Sequence, residues 1–180
     1  MKATTDQEIL SLYREQPTRN KAMSLLMQAY QQRLYIHIRR MVNSHDDADD
    51  ILQEVFIKAW KGMEFFREDA KLFTWLYKIA SNECLSHHRK KKAHLIPIDK
   101  IPGNHQPQSN EKGLPGDEII RKLEAAVSTL PPKQRLVFHM RYYEEMPYEQ
   151  ISEVVETSVG ALKASYHHAV KKIEDFLSNG

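Results

Sequence analysis

Histidine, cysteine and carboxylate side chains are where chemistry would begin, and this chain groups them in several places. His45-Asp46-Asp47-Ala48-Asp49-Asp50, with Gln53 and Glu54 beyond, crowds acids around an imidazole. A His-Asp pair could serve a metal phosphohydrolase, and the acids could hold a cation. The spacing argues against both. The glycine and alternating oxygen ligands of a calcium loop are absent, and carboxylates at a helix start are stabilised by its dipole without a metal. His87-His88 and His167-His168 are adjacent pairs whose rings diverge by about 100° on a helix, with no third ligand at metal spacing. Cys84, the single cysteine, has no CxxC partner and reads as a packed thiol. No glycine-rich phosphate loop and no Gly-x-Ser-x-Gly elbow occurs. The sequence offers no active site, so no enzyme, cofactor or metal is expected.

Two other groupings suit nucleic acid. In residues 65–92, Phe65, Phe66, Phe73, Trp75 and Tyr77 interleave with Arg67, Lys71 and Lys78, and Arg89-Lys90-Lys91-Lys92 closes the segment. Rings beside cations are what unstacked bases need, one to stack on and the other for the backbone. The same rings could instead fill a helical core. In residues 147–177 a short helix, a turn and a long helix follow in helix-turn-helix order. With Val159, Leu162, Tyr166, Val170, Ile173 and Leu177 inward, Lys163, Ala164, His167 and Lys171 face outward, and no acid occurs between Ser158 and Ile173. The preceding segment is acid-rich, with Glu144, Glu145, Glu149, Glu153 and Glu156. One helix can approach phosphates and the other would be repelled.

Helices must position these residues. Met23, Met27, Tyr30, Leu34, Ile38 and Met41 recur at helical spacing over Arg19–Val42. Ala48, Ile51, Leu52, Val55, Phe56, Ala59 and Met63 make a second stripe, and Leu72, Trp75, Leu76, Ile79 and Ala80 a third. These three stripes can be buried only against one another, which predicts an N-terminal bundle. From Ala93 to Gly116 prolines and polar residues break the pattern, as in a linker. Helical spacing resumes at Ile119, Leu123, Val127 and Leu130. A helix over Lys133–Tyr143, a short one after Pro147, and a long one capped by Ser158 follow. The expected fold is all-α: two small helical domains, residues 1–92 and 118–180, joined by a flexible linker at 93–117.

Bulk composition agrees. The 180 residues are 41% hydrophobic and 28% charged, with six glycines, a balance that suits a helical globular protein. No apolar run approaches the roughly 18 residues of a membrane span, no signal-peptide core opens the chain, and one cysteine cannot form an internal disulfide. A cytoplasmic location without membrane insertion is expected. The net charge of +2 is small, so nucleic-acid binding would rest on local faces rather than a steering field.

Three stretches together resemble the extracytoplasmic-function group of bacterial RNA polymerase sigma factors, over roughly Arg19–Lys92 and Glu118–Leu177. Asp49-Asp50-Ile51-Leu52-Gln53-Glu54-Val55-Phe56-Ile57-Lys58-Ala59-Trp60 is similar to the family's helix that grips the clamp of the polymerase largest subunit. Residues 66–82, Phe66 through Asn82, resemble its promoter-melting and −10-reading segment. Leu130-Pro131-Pro132-Lys133-Gln134-Arg135-Leu136-Val137-Phe138 with Ser158-Val159-Gly160-Ala161-Leu162-Lys163 resembles its −35-reading domain. The resemblance implies a DNA-reading subunit with no chemistry of its own. It implies that Asp49, Asp50, Gln53 and Glu54 meet core polymerase, and that the flap region is a second point of contact. Phe66, Arg67, Lys71, Thr74, Trp75, Tyr77, Lys78 and Asn82 would read and melt the −10 element. Ser158, Gly160, Lys163, Ala164, His167, His168 and Lys171 would read the −35 element. Many members are held inactive by an anti-sigma factor, though no residue here identifies one. The chain departs from the pattern where Ser165 and His168 replace arginines, Glu156 stands where a turn glycine is common, and Ser152 replaces an alanine. The rival readings are a helix-turn-helix regulator working without polymerase, which has no use for residues 66–82, and a metal enzyme using His45 and Asp46.

Overall fold

A computed structural model describes residues 5–42, 44–66, 71–94 and 115–178. Every regular element among them is helical: α1 (Asp6–Arg14), α2 (Arg19–Met41), α3 (His45–Gly62), α4 (Leu72–His94), α5 (Pro115–Ser128), α6 (Pro132–Phe138), α7 (Tyr148–Val155) and α8 (Val159–Ser178). Most of the expected linker, and Arg67 with it, lies outside the described residues. No described helix is long and apolar enough to cross a membrane.

Local signals place the helix starts. Ser44 accepts the Asp47 amide at 3.3 Å and Asp46 and Asp47 fill the first turn of α3, so cap and dipole act together. Ser158 accepts the Ala161 amide in the same way at α8. Pro132 opens α6, where its missing amide hydrogen is of no consequence. Past Phe138, α6 widens into a π-helical turn over His139–Tyr143, and Glu145 then takes a left-handed conformation (φ 53°) that reverses the chain toward α7.

The α3 stripe is buried as expected, from Ala48 to Met63. Three other expectations are corrected. Helix α1 joins the bundle, burying Ile9 and Tyr13 against α2, so four helices share that core rather than three. Along α2 the apolar face is rotated: Ala22, Leu26, Leu34, His37, Ile38 and Met41 are inside while Met27 is exposed. A stripe read at 3.6 residues per turn tolerates such a rotation, because both alternatives keep apolar spacing. At the chain's far end, Ile119 and Leu177 face solvent, since the α5–α8 contact ends at Leu123 and Ile173.

The largest departure is tertiary. The core of the front bundle does not stop at α4; it continues into Leu136, Val137, Met140, Met146, Ile151, Val154 and Leu162. Helix α7 lies along α4, and α6 touches both α2 and α4. A second, smaller core holds Ala126, Val127, Leu130, Phe138, Ala169 and Ile173. Two bodies expected on a tether are folded against each other.

Candidate nucleic-acid interface

Helix α8 turns Leu162, Ala169 and Ile173 inward. Ser158, Gly160, Lys163, Ala164, His167, His168 and Lys171 are all exposed, so the acid-free face is presented as a continuous surface. Lys163 Nζ stands 5.8 Å from the centre of the Tyr148 ring, a contact that steadies the cation without removing it from water. The turn before α8 is built by Glu156, whose left-handed conformation (φ 52°, ψ 46°) is one that a residue with a Cβ adopts at a cost. Ser152 Oγ donates to the Thr157 carbonyl at 2.7 Å and holds the turn closed.

The acidic face of α3 is free: Asp49, Asp50, Gln53 and Glu54 are exposed opposite the buried stripe. Beside it runs an apolar groove of about 440 Å³, bordered by Met23, Met27, Leu52, Phe56, Ile57 and Trp60. His45, the residue of the metal reading, instead shares a hydrogen bond with the Tyr35 hydroxyl through Nδ1 (2.9 Å). Among the described residues no cluster of three histidine, cysteine or acidic side chains could hold a metal ion.

Helix α4 is hemmed in by α2, α3 and α7, and this divides the expected −10 residues. Lys71 and Asn82 are exposed. Thr74 and Tyr77 are interior, a correction to their placing as base contacts: Tyr77 lies 4.8 Å from the His37 ring and 4.2 Å from Phe73, facing α2. Trp75 is half-buried, its ring 5.1 Å from Phe66 and against Gly62, where a Cβ would come within 3.0 Å of it. Phe66 is therefore half-covered, and the ring at the turn that projects into solvent is Phe65, 80% exposed. Sequence could not separate the neighbours, because only the turn that puts Phe66 on Trp75 decides which ring is left out. Lys78 Nζ donates to Glu156 Oε1 at 2.6 Å, an ion pair from the −10 helix to the turn of the helix-turn-helix.

A buried polar seam lies behind that pair. His37, fully buried, shares a hydrogen bond with Glu144 Oε1 through Nδ1 (2.8 Å) and one with Ser81 Oγ through Nε2 (3.2 Å). Arg135, largely buried, donates to the Ser128 and Leu130 carbonyls and across to Met41 O. Burial holds its pKa below the usual arginine value. His139 stacks on Tyr143 and neither of its ring nitrogens has a hydrogen-bond partner. Burial first, then the nearby His37, Arg40 and Arg135, push its pKa down to about 3, weakly opposed by the Arg40 backbone. The sequence reading places Glu144 in an acidic set and Arg135 within the Leu130–Phe138 stretch, assigns neither a buried role, and does not single out His37 or His139. His37 was detectable as the one imidazole on the Leu34–Ile38–Met41 face. Cys84 is buried and its pKa rises to about 12, chiefly through desolvation, which makes it an inert packed thiol.

Two family models match the chain: Sigma-70 region 2 over residues 26–94 and Sigma-70, region 4 over residues 120–173. The chain is similar to the RNA polymerase sigma-H factor of Pseudomonas aeruginosa, 29% identical over 97% of this chain and 95% of that one. It is also similar to the ECF RNA polymerase sigma factor SigW of Bacillus subtilis, at 29% over 81% and 83%. The ECF RNA polymerase sigma-E factor of Escherichia coli is 28% identical over 95% and 93%. Among solved structures, CnrH in complex with the cytosolic domain of CnrY superposes with a TM-score of 0.69 over 97% of each chain at 17% identity. RpoE of Bartonella quintana in complex with the anti-sigma factor NepR gives 0.67 over 88% of this chain and 98% of that one, at 20%. These likenesses bear out the all-helical fold.

Proposed function

The chain belongs to the extracytoplasmic-function group of the sigma-70 family, a promoter-specific transcription initiation factor, and from that membership we propose how its surfaces divide the work. The family is one of non-enzymatic transcription regulators. Residues 1–92 serve as the polymerase- and −10-engaging unit, 118–180 as the −35-engaging unit, and 93–117 as the tether between them.

Helix α8 enters the major groove at the −35 element. Lys163 and Lys171 contact phosphates, and Ser158, Gly160, Ala164, His167 and His168 lie along the side that meets base edges. At the −10 element, Phe66, Arg67, Lys71, Trp75, Lys78 and Asn82 hold the separated strand, rings stacking on bases and cations meeting the backbone. Thr74 and Tyr77 hold α4 in place from inside. Asp49, Asp50, Gln53 and Glu54 dock on the clamp of the largest polymerase subunit, and the apolar groove beside them receives an apolar side chain of that partner. The exposed Ile119, Ile120, Phe176 and Leu177 are the surface whose chemistry suits the flap region. An inhibitor of the anti-sigma kind, as in the NepR complex of RpoE, is a further partner, and work on polymerase places the protein in the cytoplasm.

The observation that carries this reading is the exposed, acid-free face of α8 standing beside the acid-rich α7. Purified protein added to bacterial core enzyme should start run-off transcription from a restricted set of promoters, and Lys163→Ala should weaken protection of the −35 element alone. Absence of core binding at low salt would defeat the assignment.

A further inference from the structure

Helix α1 carries none of the side chains assigned to polymerase or promoter, and it lies ahead of the region 2 match over residues 26–94. The chain nevertheless fastens it closely. Thr5 caps its first turn by accepting the Glu8 amide at 3.3 Å, and the Tyr30 hydroxyl of α2 donates to Asp6 Oδ1 at 2.5 Å. At the other end, Arg19 Nε donates to the Tyr13 carbonyl at 3.1 Å, and its guanidinium lies 5.0 Å from the centre of the Tyr13 ring. Tyr13 itself reaches α3. Its hydroxyl donates to the Trp60 carbonyl at 2.9 Å, and its ring meets the Trp60 indole edge to face at 5.7 Å. Trp60 in turn lines the apolar groove with Met23 and Met27. We propose that Tyr13 is a positioning residue for polymerase docking: it fixes Trp60 as the end wall of the groove, where the partner's apolar side chain enters.

At 6% exposure Tyr13 cannot touch a partner, so it can act only through what it holds. A tyrosine does more there than fill space. Leucine or phenylalanine would complete the α1 stripe with Ile9, whereas the hydroxyl answers a carbonyl two residues from the end of α3, where in-helix partners run out. Trp60 is half-buried, shared between the Tyr13 contact and the groove. A large ring left free to turn must be ordered when a partner binds, and a ring already held escapes that cost. The groove also joins the acidic docking face, because Asp49 and Gln53 border it. Trp60 follows Asp49 by about 16 Å along the helix, at 1.5 Å per residue. The docking surface of α3 is thus set at its acidic end by the Ser44 cap and at its far end by α1. The inference rests on the docking of that face and groove on the polymerase clamp.

The test measures binding of the full chain to immobilised bacterial core RNA polymerase, with urea unfolding of each variant so that every affinity refers to folded protein. Tyr13→Leu should weaken binding about two- to tenfold, the range set by ordering one side chain. Tyr13→Phe, which keeps the ring contact and deletes the hydrogen bond, should lose less. Trp60→Ala should also weaken binding, and in that background Tyr13→Leu should have no further effect, since no indole is left to hold. A residue that merely stabilises the bundle would show the same loss in both backgrounds, and that result would overturn the inference. In fluorotryptophan-labelled protein, Tyr13→Leu should move the Trp60 fluorine resonance and leave that of Trp75 in place; an unmoved Trp60 resonance would overturn it as well. Weaker binding by Trp60→Ala with none by Tyr13→Leu would end the positioning role and leave polymerase docking standing. Full affinity in Trp60→Ala would instead remove the groove from the docking surface, and with it the reading on which the inference rests.

Discussion

Lowering the pH from 7.5 to 5.5 should destabilise the protein through His139. In the folded chain its pKa is about 3, because burial and the neighbouring His37, Arg40 and Arg135 oppose a charged ring. Any state that exposes it restores the ordinary value near 6.5. A group whose folded pKa is depressed below its unfolded one binds protons preferentially in the unfolded state as pH falls, so stability is present at and above pH 7 and drains away below about 6.5. At pH 5.5 the exposed ring is about ten parts protonated to one, whereas the folded ring stays neutral. The loss between pH 7.5 and 5.5 is then about 1.4 kcal/mol, one pH unit's worth at 1.36 kcal/mol. The magnitude is set by the exposed value alone, provided the folded one lies well below 5.5. Burial lowers His88 as well, so the measurement is a difference. Urea unfolding of wild type and His139→Leu is followed by far-ultraviolet circular dichroism at both pH values. The variant should lose about 1.4 kcal/mol less than wild type over that interval. Equal losses in the two proteins would refute the buried, neutral state of His139.

Further outcomes follow from single contacts. Leu76→Ala, deleting a fully buried side chain in the front core, should cost about 2–5 kcal/mol in denaturant unfolding. Ser158→Ala removes the cap on the Ala161 amide and should cost about 1 kcal/mol, read in the same assay. Phe65→Ala should leave thermal stability unchanged, as its ring is 80% exposed. Because it is the solvent-facing ring of the turn beside Phe66, its loss should slow permanganate-detected promoter opening by the equivalent of about 1–3 kcal/mol; normal opening would show that Phe65 does not join Phe66 in holding the strand. Phe66→Ala should impair opening and also shift Trp75 fluorescence, given the 5.1 Å ring contact, while polymerase binding stays intact. Lys163→Ala should reduce the salt dependence of −35 binding by about one phosphate contact, measured as the slope of log K against log salt.

Residue order was sufficient for whatever depends on neighbours along the chain. The α3 stripe from Ala48 to Met63, the Ser158 cap and the outward set Lys163, His167 and Lys171 all follow from helical period and capping chemistry, which act within a few residues. The spacing of the three family-like stretches likewise needs only the sequence. What depends on which surfaces meet was decided by tertiary structure. Helical period permits either Met27 or Leu26 to face the core, and packing against α1 and α3 selected Leu26. Thr74 and Tyr77 share a helix with Lys71 and Lys78, yet packing took the first two from the surface, Tyr77 against α2, and tied Lys78 to Glu156. The joining of His37 to Glu144, more than a hundred residues away, is of the same kind. A hydrogen bond across that separation leaves no periodic trace in the chain, because both residues are ordinary members of their own helices until the two bodies close.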